Sequence, residues 1–392
     1  MNMCSHQGDF RLFELADIHH DSGYCWVTKL PDDIIVGESE DNDEKSKLIL
    51  FEDNIGFCQG SALHDSIRNF GNGLFSHWGD DLYFSTPDNS SPITNGRKYY
   101  VAAPMKGKSA KDAKRISGNT PVNYNWYSFD ESKVTLDAEY AVNIAFNYLN
   151  AIPSGKSFIK GKSILELGPG INFATALIMR SWGARSVTVA DRFLADFNEN
   201  YHPKLYREVA NILTTLDSES DVSILLECAK NGYKEELINL LESPLEELQE
   251  IEQKFDITLS NAVFEHLYNP RIASKVLYSI MESGAIGIHQ VDFRDHRDFS
   301  RPLEFLLIDE IEFVRMFDAR LGECGNRVRP YQLEQLFFGA GFSSVKYDSN
   351  MNVEPEYFND FLSRLSFEQS SCYSNISPDK LRSVSGLFVV TK

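Results

Sequence analysis

A short apolar segment that ends in a glycine turn constrains the fold more than any other feature of the sequence. Residues 163–167 have the composition of a buried β-strand, and Gly168, Pro169 and Gly170 follow them directly. The sequence then continues with helical spacing through Met179. A buried strand that turns through glycines into a helix is the unit from which parallel sheets are built. We therefore predict an α/β fold around this segment.

Strand and helix patterns alternate through the rest of the chain's second part. A helix is predicted from about residue 135, where apolar side chains recur at helical spacing after Asp137. Further strands are predicted at residues 186–190, 236–241, 255–260, 285–291 and 344–347. Such alternation predicts a doubly wound, mostly parallel sheet, and the apolar run at residues 386–391 adds a last strand.

Residues 1–104 have a different pattern, in which short apolar or aromatic runs alternate with Gly, Pro, Asn and Asp. This pattern predicts a β-rich N-terminal domain. Within it, Trp78 and Tyr83 lie close in sequence to His77, Asp80 and Asp81, and such rings with polar neighbours can hold a sugar. A β-core with solvated turns is the alternative. Residues 105–134 are predicted to form a linker or lid, and residues 135–392 the α/β domain.

Charge and cysteine usage exclude several classes of partner. The net charge is −19, and so acidic a surface disfavours sequence-independent binding to nucleic acid or to anionic lipid. The six cysteines form no CxxC pair, which fits a reducing compartment better than a disulfide framework. No apolar run reaches the roughly 18 residues of a membrane span, and the first residues lack a signal-peptide pattern. We expect a cytoplasmic protein without membrane insertion; homo-oligomerisation is left open.

The glycine turn and the next predicted strand together predict a nucleoside site. Asp191 ends that strand about 20 residues after the turn, where a carboxylate can accept both ribose hydroxyls. A dinucleotide usually needs a third glycine beside its pyrophosphate, and Phe173 occupies that position. Glu166 would also repel a pyrophosphate. A cationic cofactor such as S-adenosylmethionine is therefore favoured over NAD.

Three segments resemble motifs of class I S-adenosylmethionine-dependent methyltransferases: residues 164–170, 187–191 and 255–266, in the family's order. The resemblance covers residues 135–392 and implies a Rossmann-like sheet with a terminal antiparallel strand. It also implies cofactor contacts from Glu166, Gly168, Pro169, Gly170, Asp191, Arg192, Asn261 and the loop Ser243-Pro244-Leu245. An insertion between residues 201 and 234 departs from the pattern and leaves the register of the third strand open.

The acceptor side is predicted from a cluster of polar residues at the end of the fifth strand. Methyl transfer to an alcohol usually needs a base that takes the hydroxyl proton. We predict His289 as that base, with Asp292 or His296 orienting it or binding substrate; a strand-end histidine without a catalytic role is the alternative. A divalent metal held by Asp292, Asp295 and a histidine is a third, less favoured option. His266 is predicted to be structural or to face the substrate.

Several arginines are further candidates for substrate binding: Arg294, Arg297, Arg301 and Arg327. They can hold a phosphate or carboxylate, or pair with the acidic residues near them in sequence. The segment from residue 289 to residue 329 resembles a subset of class I enzymes encoded with bacterial surface-polysaccharide machinery. We therefore predict O-methylation of a sugar or glycan precursor. Methylation of another small metabolite, or carbohydrate binding without catalysis, are the alternatives.

Overall fold

The computed structural model describes residues 6–7, 10–34, 36–39, 46, 48–52, 55–57, 62–104, 129–309, 312–313, 316–317, 324–368 and 371–392. The chain divides into two compact units. Unit 1 comprises Met1–Pro121, Arg294–Arg327 and Glu354–Pro378, and unit 2 comprises Val122–Phe293, Val328–Val353 and Asp379–Lys392. Most of the predicted linker lies outside the described residues, and the boundaries at residues 104 and 134 remain predictions.

The strands are β1 His6–Gln7, β2 Phe10–Glu14, β3 His19–His20, β4 Trp26–Lys29, β5 Ile49–Glu52, β6 Ile55–Phe57, β7 Phe75–Trp78, β8 Asp81–Phe84, β9 Tyr99–Pro104, β10 Ser163–Leu167, β11 Ser186–Asp191, β12 Asn239–Glu242, β13 Phe255–Asn261, β14 Met281–Asp292, β15 Ser344–Asn352 and β16 Ser383–Thr391. The α-helices are α1 His64–Asn69, α2 Val134–Ala151, α3 Lys156–Ile159, α4 Ala174–Ser181, α5 His202–Leu216, α6 Ser223–Asn231, α7 Pro270–Ile280, α8 Pro330–Ala340 and α9 Pro355–Leu365. In the described part of the chain, none of these helices has the length and apolar character that a membrane span requires.

Unit 1 contains two antiparallel sheets, with strand orders β1-β2-β9-β5-β6 and β3-β4-β8-β7. Their shared core includes Leu50, Phe84 and Val101, which are wholly buried. Two later segments of the chain also belong to this unit. An ion pair joins them, because the two terminal guanidinium nitrogens of Arg364 donate to Glu304, at 2.7 and 2.8 Å.

Unit 2 is a seven-stranded Rossmann-like sheet in the order β12-β11-β10-β13-β14-β16-β15. The first five strands in this order pair in parallel, and β16 pairs antiparallel with both of its neighbours. The predicted doubly wound sheet and its terminal antiparallel strand are therefore confirmed. From β10 the chain adds β11 and then β12 on one side of the sheet. It then returns to add β13 on the other side of β10, so the direction of winding reverses between β10 and β13.

Two apolar layers cover the faces of this sheet because the strand side chains alternate. Ile164 of β10 packs in the layer that contains residues of α2, α4, α5 and α6, whereas Leu165 and Leu167 pack in the layer that contains residues of α7 and α8. Each such fully buried side chain contributes roughly 1.5–3 kcal/mol relative to exposure. Glu166 lies between Leu165 and Leu167 in sequence, so it points into the first layer.

Two local predictions differ from the structure. The third strand of the sheet begins at Asn239 rather than at residue 236, because the amides of Leu237 and Ile238 donate to the Lys234 carbonyl and form a turn. The predicted insertion between residues 201 and 234 forms α5 and α6, which pack on α2 and α4.

Candidate functional site

Four neighbouring strands bring most of the predicted cofactor residues to one edge of the unit 2 sheet. Asp191 is the last residue of β11, Asn261 is the last residue of β13, and Gly168 follows the end of β10. Ser243 follows β12 in the same way. Because these strands are parallel and adjacent, their carboxyl ends meet at the edge where open α/β sheets bind ligands.

The glycine turn has the backbone conformation that its sequence predicts. Gly168 and Gly170 adopt φ of +63° and +73°, and the Gly168 amide donates to the Ala190 carbonyl at 2.9 Å. A Cβ on Gly168 would lie 2.4 Å from the Val263 side chain, whereas a Cβ on Gly170 would meet nothing within 4 Å. The turn thus packs closely at its start and is open at Gly170, where a ligand can approach the backbone.

Three backbone amides at the start of the helix that follows the turn already have partners within the protein. The Phe173 amide donates to the Tyr206 hydroxyl at 3.3 Å, and the Ala174 amide donates to Asn172 Oδ1 at 3.1 Å. The Ala176 amide donates to the Glu166 carboxyl. Since such amides normally bind a pyrophosphate, the internal partners of these three disfavour a dinucleotide here.

Glu166 is a buried acid with an unsatisfied oxygen. Its Oε2 atom has no hydrogen-bond partner, and the hydroxyl of the buried Tyr148 on α2 also has none. Burial raises the pKa of Glu166 to about 8, although the Ala176 amide favours the ionised form. Two buried polar groups without partners, next to the glycine turn, are the kind of exception that a ligand explains.

Asp191 and Arg192 continue this edge beyond β11. Asp191 accepts the Phe193 amide at 3.0 Å, and burial raises the pKa of its carboxyl. The Arg192 guanidinium lies 4.2 Å from the centre of the Tyr268 ring and 3.6 Å from Glu246. Glu246 belongs to the 3₁₀ helix Leu245–Glu250, which begins in the predicted loop Ser243-Pro244-Leu245, so Arg192 lies beside that loop.

The end of β13 is joined to α2 by a side-chain hydrogen bond. The Asn261 amide donates to the Tyr140 hydroxyl at 2.8 Å. The next residue, Ala262, adopts a left-handed φ of +57°, and its amide donates to the Gln290 carbonyl at 3.0 Å. A non-glycine residue in this conformation is strained, and such strain concentrates at ligand sites.

His289 does not lie on the open edge of the sheet. Its ring is fully buried, with centroid distances of 5.0 Å to Phe264 and 6.0 Å to Phe337. Nδ1 shares a hydrogen bond of 2.9 Å with Ser260, and burial lowers the pKa of the imidazole to about 3. A general base must reach the acceptor, so this placement conflicts with the predicted catalytic role.

The other predicted acceptor residues fall in both units. In unit 2, Asp292 ends β14 and its amide donates to Glu265 at 3.3 Å, while His266 ends the 3₁₀ helix Phe264–His266. Both side chains are half-buried. His296 and Asp295 belong to unit 1, where the His296 amide donates to the Cys324 carbonyl at 3.4 Å. The metal prediction remains untested.

The four predicted arginines all lie in unit 1, and each has an intramolecular partner. Arg297 binds Asp295 through Nε at 2.9 Å, and Arg301 lies 3.2 Å from Glu304. The remaining contacts are those of Arg294 with the Phe299 ring at 4.4 Å and of the buried Arg327 with the Ile308 carbonyl at 2.7 Å and the Phe313 ring at 3.7 Å. These contacts favour the alternative of pairing within the protein.

Sequence reasoning missed four residues that support this edge. Tyr140 and Tyr148 come from α2, which the sequence marks only as an amphipathic helix. Tyr206 and His202 come from α5, where His202 Nε2 bonds the Ile171 carbonyl at 2.9 Å and thereby ties down the end of the glycine turn. Helical periodicity predicts that Tyr148, Tyr206 and His202 lie near the core. It predicts neither the contacts of Tyr206 and His202 with the turn nor the contact of the exposed Tyr140 with the end of β13.

The chain matches no protein-family model and no curated protein. Among solved structures, it is similar to an S-adenosylmethionine-dependent methyltransferase from Mesorhizobium loti, at 12% identity and a TM-score of 0.37, over 64% of this chain and 98% of the other. It is also similar to a proposed S-adenosylmethionine-dependent methyltransferase from Listeria monocytogenes, at 13% identity and a TM-score of 0.32, over 64% and 99%. A proposed O-methyltransferase from Nostoc punctiforme matches at 10% identity and a TM-score of 0.33, over 73% and 64%. Similarity this distant carries no weight for function.

Proposed function

We propose that the protein is an S-adenosylmethionine-dependent methyltransferase and that the edge of the sheet around Gly168–Gly170 binds the cofactor. The observation that carries the proposal is at the start of α4, where Tyr206, Asn172 and Glu166 accept three of the amides that could otherwise bind a pyrophosphate. A nucleoside without phosphates, and with positive charge, suits this edge better than a dinucleotide does.

The described residues fit this cofactor. Asp191 lies where a carboxylate can accept the ribose hydroxyls, and the open side of Gly170 leaves room for the ligand. The unpartnered Oε2 of Glu166 suits a cationic group. When bound, the cofactor would supply an electrophilic methyl group, and the task of these residues is to hold it with the methyl group aligned toward the acceptor.

The acceptor proton needs a side chain that can reach it. Because His289 is buried, we assign this role to the half-buried Asp292 or His266, which belong to strands and loops at the same edge. A carboxylate or a neutral imidazole can take a hydroxyl proton as the methyl group is transferred.

Titration of the full chain with S-adenosylmethionine, S-adenosylhomocysteine and NAD tests the cofactor proposal. We expect the first two to bind and NAD not to bind. Asp191→Ala should weaken S-adenosylhomocysteine binding by about 1–3 kcal/mol, because it removes paired hydrogen bonds to the ribose. The matched control is Asp256→Ala, which removes an acid at the other end of the sheet, where Asp256 binds Lys162 at 3.0 Å. Equal affinity in the Asp191 variant, or binding of NAD alone, would refute the proposal.

For the acceptor we propose a hydroxyl group of a sugar or glycan precursor. Unit 1 supports this choice with an aromatic cluster in which Trp78 is 39% exposed, the His64 ring stacks on Tyr83 at 4.1 Å, and the Trp78 ring meets His64 edge-on at 5.8 Å. His77 contributes nothing to it, because its ring is buried and bonded to Ser46. Exposed rings of this kind stack on sugar faces.

Transfer of labelled methyl from S-adenosylmethionine into fractionated cell extract tests the acceptor class. We expect label in the polysaccharide, lipid-linked glycan or nucleotide-sugar fraction. Label confined to other small molecules would keep the methyltransferase and refute the sugar acceptor. Sugar binding without any transfer would instead favour a carbohydrate-binding protein.

A further inference from the structure

We propose that Glu166 carries a proton when the site is empty of ligand and releases it when a cationic ligand binds at the end of β10. The proposal rests on the proposed function only for the identity of that ligand. It assigns to Glu166 the selection of positive charge, and it makes binding a proton-coupled equilibrium.

The position of Glu166 in the sheet is the first support. Its strand lies between β11 and β13, and its partners in register are Val189 and Leu259, both buried and apolar. The side chain points into the apolar layer beneath α2 and α4. A carboxylate in such surroundings loses its hydration, which disfavours the charged form.

The groups around the carboxyl do not replace that hydration. From α4 the carboxyl accepts a hydrogen bond from the Ala176 amide. From α2 it faces the hydroxyl of Tyr148, whose pKa is raised by burial and by the nearby Glu166 and Tyr140. Among the described residues no lysine, arginine or histidine forms an ion pair with Glu166, and Oε2 accepts no hydrogen bond. A carboxyl with a pKa of about 8 is roughly nine-tenths protonated at pH 7.

A cation bound at this edge of the sheet shifts the Glu166 carboxyl from its protonated to its ionised form. A positive charge within about 4–6 Å favours the ionised carboxylate, so the pKa of Glu166 falls when the ligand is bound. The O–H bond breaks, the proton goes to the solvent buffer, and the carboxylate pairs with the ligand. S-Adenosylmethionine carries a sulfonium and an ammonium group, whereas S-adenosylhomocysteine keeps only its ammonium group. Comparing the two ligands therefore separates the effect of the sulfonium on proton release from that of the ammonium.

Isothermal titration of each ligand at pH 7, in phosphate and in Tris, measures the protons released. We expect close to one proton per ligand for the wild-type protein. Glu166→Gln should bind ligand and release about one proton fewer, since glutamine is neutral and matches the shape of the protonated acid. This difference removes any contribution from the ligand's own amino group. Glu282→Gln is the matched control, because it removes an exposed acid near the start of β14, away from the carboxyl ends of the strands, and should leave proton release unchanged.

Affinity against pH is the second measurement and uses the wild-type protein alone. Below pH 8 the ligand must displace the proton, so the dissociation constant should fall about tenfold between pH 6 and pH 7 and level off above pH 8. Binding with equal heats in both buffers and a flat pH profile would overturn this inference while leaving the cofactor proposal intact. Absence of binding to the wild-type protein would refute the cofactor proposal itself.

Discussion

The His289 side chain is held by two aromatic rings that also touch each other, and by hydroxyl groups at its edge. Phe264 and Phe337 lie against it, and Ser260 binds Nδ1 at 2.9 Å. Removing the ring leaves a cavity and an unsatisfied buried hydroxyl. We expect His289→Ala to lower the free energy of unfolding by about 2–4 kcal/mol, measured by urea denaturation.

The same variant separates a structural role from a catalytic one. If His289 only supports the core, turnover per folded molecule at low temperature stays close to wild type. A base would lose about 10²–10⁴-fold in turnover with unchanged cofactor affinity. A stable variant with that loss would restore the role predicted from the sequence. His266→Ala, at a half-buried position, is the comparison for the acceptor side.

At the scale of elements, the turn between β10 and α4 requires its two glycines for different reasons. Both have a left-handed backbone, but only at Gly168 would an added Cβ meet a neighbouring side chain. We expect Gly168→Ala to destabilise the protein by about 2–4 kcal/mol, through strain and overlap with Val263. Gly170→Ala should cost about 1 kcal/mol from strain alone. Thermal or urea unfolding compares the two variants.

The same two glycine variants also test how closely the ligand approaches the turn. Because a Cβ on Gly170 would extend into open space beside the proposed cofactor, Gly170→Ala should weaken S-adenosylhomocysteine more than its small effect on stability suggests. Equal destabilisation by the two substitutions would contradict the packing described for Gly168. The double variant Gly168→Ala, Val263→Ala should recover part of the lost stability, since it removes the overlapping methyl groups.

Local pattern predicted the elements that carry their own periodicity and turn signals. The strand at 163–167, the glycine turn and Asp191 lie where the sequence predicts them, because a buried parallel strand is apolar on both faces and its carboxyl end is fixed by topology. The burial of His289 was not predictable in this way. It depends on Phe264 and on Phe337 of α8, which lie 25 and 48 residues away in sequence and pack against the ring.

The side-chain contacts that support the site could not be predicted from local sequence patterns either. Tyr140 meets Asn261 across 121 residues of sequence, and a helical repeat cannot reveal such a pairing. Two of the four predicted arginines, Arg297 and Arg301, pair with acids two and three residues away, which the sequence allowed but could not distinguish from an anion site.

Across the whole molecule, two buried groups with opposite pKa shifts make stability depend on pH from both sides. Burial holds the pKa of His289 near 3, so the unfolded chain binds more protons below pH 6.5 and stability falls on acidification. Burial raises the pKa of Glu166 to about 8, so the folded protein binds more protons above pH 4.5 and stability falls as pH rises toward 8. The two shifts together favour a maximum in the mildly acidic range.

Glu166→Gln isolates the fall in stability that the Glu166 carboxyl causes as pH rises, because glutamine cannot titrate. We expect the free energy of unfolding of the wild-type protein to fall relative to that of the variant by a few kcal/mol between pH 5 and pH 8, measured by urea denaturation at each pH. Parallel curves would mean that the carboxyl is ionised throughout. Saturating S-adenosylmethionine should flatten the wild-type curve, since a bound cation favours the carboxylate whose burial is unfavourable in the ligand-free protein. The acid that destabilises the ligand-free fold at high pH would then be the one that recognises the charge of the ligand.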